Sequence, residues 1–189
     1  MALNEFSTYE FVVAQKIEGR WIWAKAGLLF FYISFGITAL IMGIVTRLIA
    51  PMIALVPVCI WILVFFTWRY TNVEYEYSIT SGELTFAKIY GNRSRRRVLT
   101  LQLRDAVRIA PLDNGEHSAK ATAWKPELDF SAISSATAPD IYYILFEHKG
   151  SGKKGESKRA ILYLEVTTRT LQICRFYNPS ATVLTTVSR

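Results

Sequence analysis

The sequence predicts a membrane α-helical hairpin joined to an α+β, mainly β, domain. Three observations carry this: two long charge-free stretches only four residues apart, a series of alternating apolar and polar runs after residue 70, and a single helical pattern near the end of the chain. Half the chain is apolar, 51% by composition, and that content is concentrated rather than spread. Between Lys25 and Arg69 the only charged residue is Arg47.

Residues 26–46 (AGLLFFYISFGITALIMGIVT) are free of charge and, at 1.5 Å of rise per residue, are long enough to cover a hydrocarbon core of roughly 30 Å. Residues 51–68 (PMIALVPVCIWILVFFTW) are just long enough. Their short connection, Arg47, Leu48, Ile49 and Ala50, permits only an antiparallel hairpin. The plain alternative is a buried helix pair in a soluble core, but so small a chain offers no second layer to cover both helices on all sides. The first stretch is too long for a signal-peptide core and is expected to stay on the protein. Pro57 removes one backbone donor within the second span and is expected to bend it.

Lys16, Arg20 and Lys25 precede the hairpin, and Arg69, Lys88 and Arg93 follow it, against the lone Arg47 in its turn. The excess of bases at the open end predicts that both termini are cytoplasmic and that the protein is a multi-pass component of the cell membrane. Trp21, Trp23, Trp68 and Tyr70 place an aromatic belt at the same end. Residues 1–25 are expected to form a cytoplasmic amphipathic segment: Ser7 and Glu10 have capping-box spacing, and Phe11, Ala14, Ile17 and Trp21 recur at helical intervals. An ordinary helix packed on the soluble domain is the alternative. Ala39 and Gly43 are spaced small-xxx-small, with Gly36 nearby, a pattern for close helix packing either within the hairpin or in a homodimer. No Asp, Glu, His or Lys lies in either span, so an ion path or proton relay has no residue to run on.

Residues 69–189 make the remaining domain. Val73, Tyr75, Tyr77 and Ile79 alternate with Glu74, Glu76, Ser78 and Thr80, a strand with one buried face. Ser81-Gly82 is a two-residue turn signal and residues 83–90 return as its partner. After Gly91-Asn92 and a basic run, Leu99, Leu101 and Leu103 give a third strand that continues past a bend at Asp105 into Val107 and Ile109. Residues 110–140 are loop-like, with an edge strand expected around residues 120–124. Residues 141–147 and 160–166 read as strands. Residues 168–177 read as a closing helix stopped by Asn178-Pro179, with Leu171, Cys174 and Tyr177 inward.

The segment YSITSGELTFAKIYGNRSRRRVLTLQLRDAVRI resembles the opening of bacterial PH-like domains, and the hairpin and the ending RFYNP are similar to bacterial membrane-anchored proteins that carry such a domain. The resemblance implies an antiparallel barrel of five to seven strands closed by the C-terminal helix. PH domains that bind phosphoinositides do so with bases around the loop joining their first two strands. On this reading that loop is Thr80, Ser81, Gly82 and Glu83, which holds no base, so no headgroup site carries over.

Arg93, Arg95, Arg96 and Arg97, with Lys153 and Lys154, form the candidate contact with anionic lipid headgroups; each base near an anionic leaflet adds about 1 kcal/mol. A solvated basic face is the alternative. Residues 150–155 spell GxGxxG but lead into a strand, whereas a phosphate-binding loop must open a helix. His117 and His148 have no partners at ligand spacing, and Cys59 and Cys174 form no disulfide or metal framework. The bases lack interleaved aromatics, so nucleic acid is not an expected partner. The sequence therefore predicts a non-enzymatic adaptor without cofactor, tethered to the bilayer and presenting its domain to lipid or another membrane protein. The competing class is an accessory subunit assembled through Ala39 and Gly43.

Overall fold

The computed structural model describes residues 8–112, 115–149 and 157–188. The chain divides into two compact units, one built on Lys16–Val73 with Tyr90–Ser94 and the other on the rest of the chain.

The first unit is the helical hairpin. Helix α1 (Arg20–Val45) and helix α2 (Ile49–Thr67) pack against each other, and both are long and apolar enough to cross a membrane. The first begins six residues before the charge-free stretch and takes in Trp21 and Trp23. Leu48 N–H donates to the Gly43 carbonyl at 2.8 Å and Arg47 N–H to that of Ile44 at 3.2 Å, a Schellman ending with Arg47 in the left-handed position at φ 58°. Gly43 is buried there, and a Cβ on it would meet Met52 Cγ at 2.9 Å; Gly36 faces Ile60 in the same way at 3.3 Å. These glycines therefore serve the close approach of α1 to α2. Helix α2 runs through Pro57 without interruption.

The second unit holds two four-stranded sheets. The first has the order β1-β2-β3-β4, from β1 (Thr8–Ala14), β2 (Val73–Thr80), β3 (Glu83–Tyr90) and β4 (Ser94–Gln102). The apolar half of the β2 alternation is realised as read: Val73, Tyr75, Tyr77 and Ile79 are buried, as are Leu84 and Phe86 of β3 and Leu99 and Leu101 of β4, while Glu76 on the polar side is buried too. A turn of 3-10 helix (Leu103–Asp105) bends the chain into β5 (Arg108–Pro111), which opens the second sheet. That sheet has the order β5-β7-β8-β6, with β6 (Leu128–Ala132), β7 (Ile141–Lys149) and β8 (Ser157–Glu165). Helix α4 (Thr168–Tyr177) closes the fold as expected, capped by Thr167, whose hydroxyl accepts from Thr170 N–H.

Three expectations are corrected. Residues 8–14 form a strand rather than an amphipathic helix, while Ser7, the expected cap, lies outside the described residues. Phe11 and Ala14 fit a helical spacing, but Tyr9, Phe11 and Val13 also fit a period of two. The aromatic and β-branched run Tyr9, Phe11, Val12, Val13 favours the strand once β2 offers an edge. The register runs from Thr8↔Thr80 to Ala14↔Glu74, and Phe11 packs its ring 5.5 Å from Tyr77. With β1 counted, the first two strands are joined by the whole hairpin, and the turn at residues 80–83 joins the second strand to the third.

The region around residues 120–124 is helical, α3 (Glu116–Ala123), because its alanines favour helix and Glu116 pairs with Lys120 one turn on. Ala121 is buried with Ala110, Tyr143, Leu145 and Ile161. The extra edge strand is β6, and it runs parallel to β8. Lastly, the sheets do not join into one hydrogen-bonded barrel among the described residues, and the strands number eight rather than five to seven. The two sheets are tied by side chains instead. Tyr77 of β2 donates its hydroxyl to the Glu165 carbonyl of β8 at 2.7 Å. Asn178, just after α4, donates to the carbonyls of Leu103 and Ala106 at 3.0 and 2.9 Å, holding the bend between the sheets.

Burial pushes the Tyr77 hydroxyl upward and pushes the Cys174 thiol up to about 12, from 9.0 for an unhindered thiol. An acid whose folded value is raised contributes stability that is complete below its unfolded value and is lost as pH rises toward the folded one. The thermal midpoint is therefore expected to hold below pH 9 and to fall between pH 9 and 12. Cys174→Ala is expected to flatten the first part of that fall, measured by unfolding scans across the range.

Candidate functional site

The basic residues singled out in the sequence differ in their surroundings where they are described. Arg95 of β4 is engaged within the sheet, its Nη2 2.5 Å from Oε1 of the buried Glu76 on β2. Arg96 and Arg97 are exposed on β4. Lys153 and Lys154, and the GxGxxG run they belong to, lie outside the described residues. Arg93 lies in the turn between β3 and β4, within the hairpin unit. Ala39 lies half-buried on α1 one turn before Gly43. His117 Nδ1 accepts from Arg108 Nη2 at 3.1 Å, and His148 packs edge-on against Phe130 and Phe146.

The hairpin unit contains a crevice of about 230 Å³ that sequence reasoning did not assemble. It is lined by Val64, Phe65, Trp68, Arg69, Asn72, Gly91 and Arg93. Two pieces of chain build it: the end of α2 with the 3-10 turn that follows (Trp68–Thr71), and the turn within Tyr90–Ser94. Gly91 joins them. Its N–H donates to the Asn72 carbonyl at 2.8 Å, its φ is +56°, and a Cβ there would stand 2.8 Å from Arg69 Cβ and 3.0 Å from Arg69 Cα. Only glycine meets both the left-handed conformation and that approach.

Three cations gather at this end of the hairpin, each laid on an aromatic ring. The Arg93 guanidinium lies 4.7 Å from the Phe65 centroid, that of Arg69 4.8 Å from Tyr70, and Lys25 Nζ 5.5 Å from Trp68. Lys25 Nζ also donates to Asn72 Oδ1 at 2.9 Å, and Arg69 Nη2 to the Tyr70 hydroxyl at 2.8 Å. Among the described residues none of the three is paired with a carboxylate, and no acid lines the crevice. Arg69 Nε is shut off from solvent and donates to no acceptor.

The signal in the sequence was present but scattered. Lys25, Arg69 and Arg93 lie 44 and 24 positions apart (69 − 25 and 93 − 69); the packing of α1 on α2 and the Lys25–Asn72 bond bring the first to the second, and the approach of Gly91 to Asn72 and Arg69 brings the third.

Fold and site together define a PH-like domain that carries two long apolar helices between its first two strands. Residues 7–183 match the family Bacterial PH-like domain (DUF6106), and the chain belongs to that family. No curated protein and no solved structure matches it.

Gly91→Ala is expected to lower stability by about 2 kcal/mol or more, from left-handed strain plus the clash with Arg69. Asn92→Ala, at φ 56° in the same turn, is expected to cost about half as much, since strain alone acts there. Thermal midpoints of the two variants in detergent check the difference.

Proposed function

We propose that the protein is a membrane-tethered, non-enzymatic binding module, in which α1 and α2 cross the cell membrane and hold the PH-like domain at its cytoplasmic face. The observation that carries this is the exposure of the helices. Only 11% and 6% of their most apolar stretches are buried, and Phe30, Val45 and Trp61 stand 73%, 73% and 67% exposed. Each such side chain left in water forgoes about 1.5–3 kcal/mol of burial, a penalty that disappears in hydrocarbon. A buried pair in a soluble core would show the opposite.

The placement of the hairpin supports a tethering role. The chain leaves β1 at Ala14 and resumes at Glu74, its direct partner in the ladder, so the anchor is an insertion across one strand pair. Such a segment is connected to the domain at both ends. The excess of Lys and Arg at the open end, among them Lys25, Arg69 and Arg93 against Arg47 in the turn, supports cytoplasmic termini. The competing accessory-subunit reading requires Ala39 and Gly43 to meet another protein. Gly43 is already occupied by Met52 and Ile49 of the same hairpin, which favours the tethering reading.

Excision of residues 16–72, with a short Asn-Gly turn joining β1 to β2, is the discriminating variant. The tethered-module reading expects the full chain to resist alkaline carbonate extraction and the excised chain to fractionate as a folded soluble domain. A full chain released by carbonate would refute the membrane anchor.

A further inference from the structure

The crevice at the open end of the hairpin has the properties of an anion site, and the geometry points to the phosphate of a membrane phospholipid as its ligand, held by Arg69 and Arg93 with Lys25 at the rim. The inference rests on the reading that α1 and α2 span a membrane, and it assigns the ligand of a site on that anchor.

Arg69 and Arg93 line one crevice of about 230 Å³ that has no acidic residue in its wall, and Lys25 is joined to the wall through Asn72 and Trp68. Cations gathered without a counter-charge repel one another, and an anion between them turns that repulsion into attraction. A ring stacked on a guanidinium occupies its face and leaves the N–H groups, which lie in its plane, available. Arg93 on Phe65 is held this way and makes no ion pair or side-chain hydrogen bond among the described residues. Arg69 uses Nη2 on Tyr70 while its buried Nε–H is unpartnered, and a buried donor left unpaired is costly. A phosphate oxygen satisfies such donors with charge-assisted bonds.

The crevice sits where α2 ends, directly after the apolar stretch, with Trp68 and Tyr70 beside it, 36% and 53% exposed. Trp and Tyr at such a point mark the depth of the headgroups. Phe65 and Val64 in the same wall supply an apolar side suited to the start of an acyl chain. Gly91 locks the Arg93 turn against the backbone of Arg69, so both arginines line one crevice before any ligand arrives.

The test uses full-length protein, delipidated in mild detergent, with retention of added lipid read by native mass spectrometry. The probes are phosphatidylglycerol and a diglucosyl diacylglycerol with the same acyl chains and no phosphate. Phosphatidylglycerol is expected to be retained and the glycolipid not. Arg93→Gln, a change at an exposed turn residue, is expected to weaken retention about fivefold, and Arg69→Gln with Arg93→Gln more than tenfold. Arg96→Gln with Arg97→Gln, on β4, is expected to leave retention unchanged. Equal retention of the two lipids, or retention indifferent to Arg93→Gln and to the double variant, overturns the site. Displacement of the lipid by 1 mM inorganic phosphate overturns a lipid as the source of the anion. Carbonate extraction checks the membrane reading separately: protein that stays in the membrane yet shows no phosphate preference overturns the site alone.

Discussion

The way the hairpin is connected to the rest of this chain depends on the seven-residue ladder between β1 and β2. Without it, residues 8–14 are a tail ahead of a helix and the hairpin is an N-terminal anchor followed by a domain. With it, the hairpin becomes an insertion inside the domain. Ala14 and Glu74, the two residues that flank the inserted segment, are held side by side by backbone hydrogen bonding rather than by the hairpin's own packing. Antiparallel neighbours are normally joined by short turns, and a connection of more than fifty residues is tolerated because closure entropy grows only slowly with length. The hairpin, whose helices pack on each other through Gly36 and Gly43, adds little to that cost.

The parts that were legible in the sequence are those fixed by strong, local periodicity. The two apolar helices, the alternating run of β2, the turn at Ser81-Gly82, the bend after Leu103 and the closing helix with its Asn178-Pro179 stop all emerge where a single pattern dominates. The part misread was β1, where seven residues satisfied both a helical and an extended period and the deciding factor, the free edge of β2, lay sixty residues away. The same holds for α3 and β6. Short elements there owe their form to Ala121 packing on Tyr143 and to parallel pairing with β8, neither of which leaves a local trace. Closure was read from resemblance; the structure ties the sheets through Tyr77 and Asn178 instead.

The candidate site shows a sharper limit. Counting bases drew attention to the Arg run, yet one member of that run is spent on Glu76 and another belongs to a different unit. What brings Arg93 to Arg69 at the hairpin end is a glycine contact, while Lys25 arrives through helix packing and its bond to Asn72. Gly91 against Arg69 joins a turn to a helix terminus, and the rings of Phe65, Tyr70 and Trp68 lie beneath the three bases. Aromatic and basic residues that composition treats as a generic membrane flank become, in three dimensions, a walled crevice.

Because the β1–β2 ladder underlies the description of the hairpin as an insertion, its register is the most direct thing to measure. In a Cys59→Ser, Cys174→Ala background, Glu10→Cys can be combined with Ser78→Cys, its direct partner, or with Glu74→Cys, four residues out of register. Opposed positions have Cβ atoms about 5 Å apart, near disulfide geometry, whereas the offset pair is beyond reach. Mild oxidation of the full-length protein in membranes is expected to link residues 10 and 78 rapidly and residues 10 and 74 not at all. Equal crosslinking of both pairs, or of neither, would contradict the strand and with it the insertion.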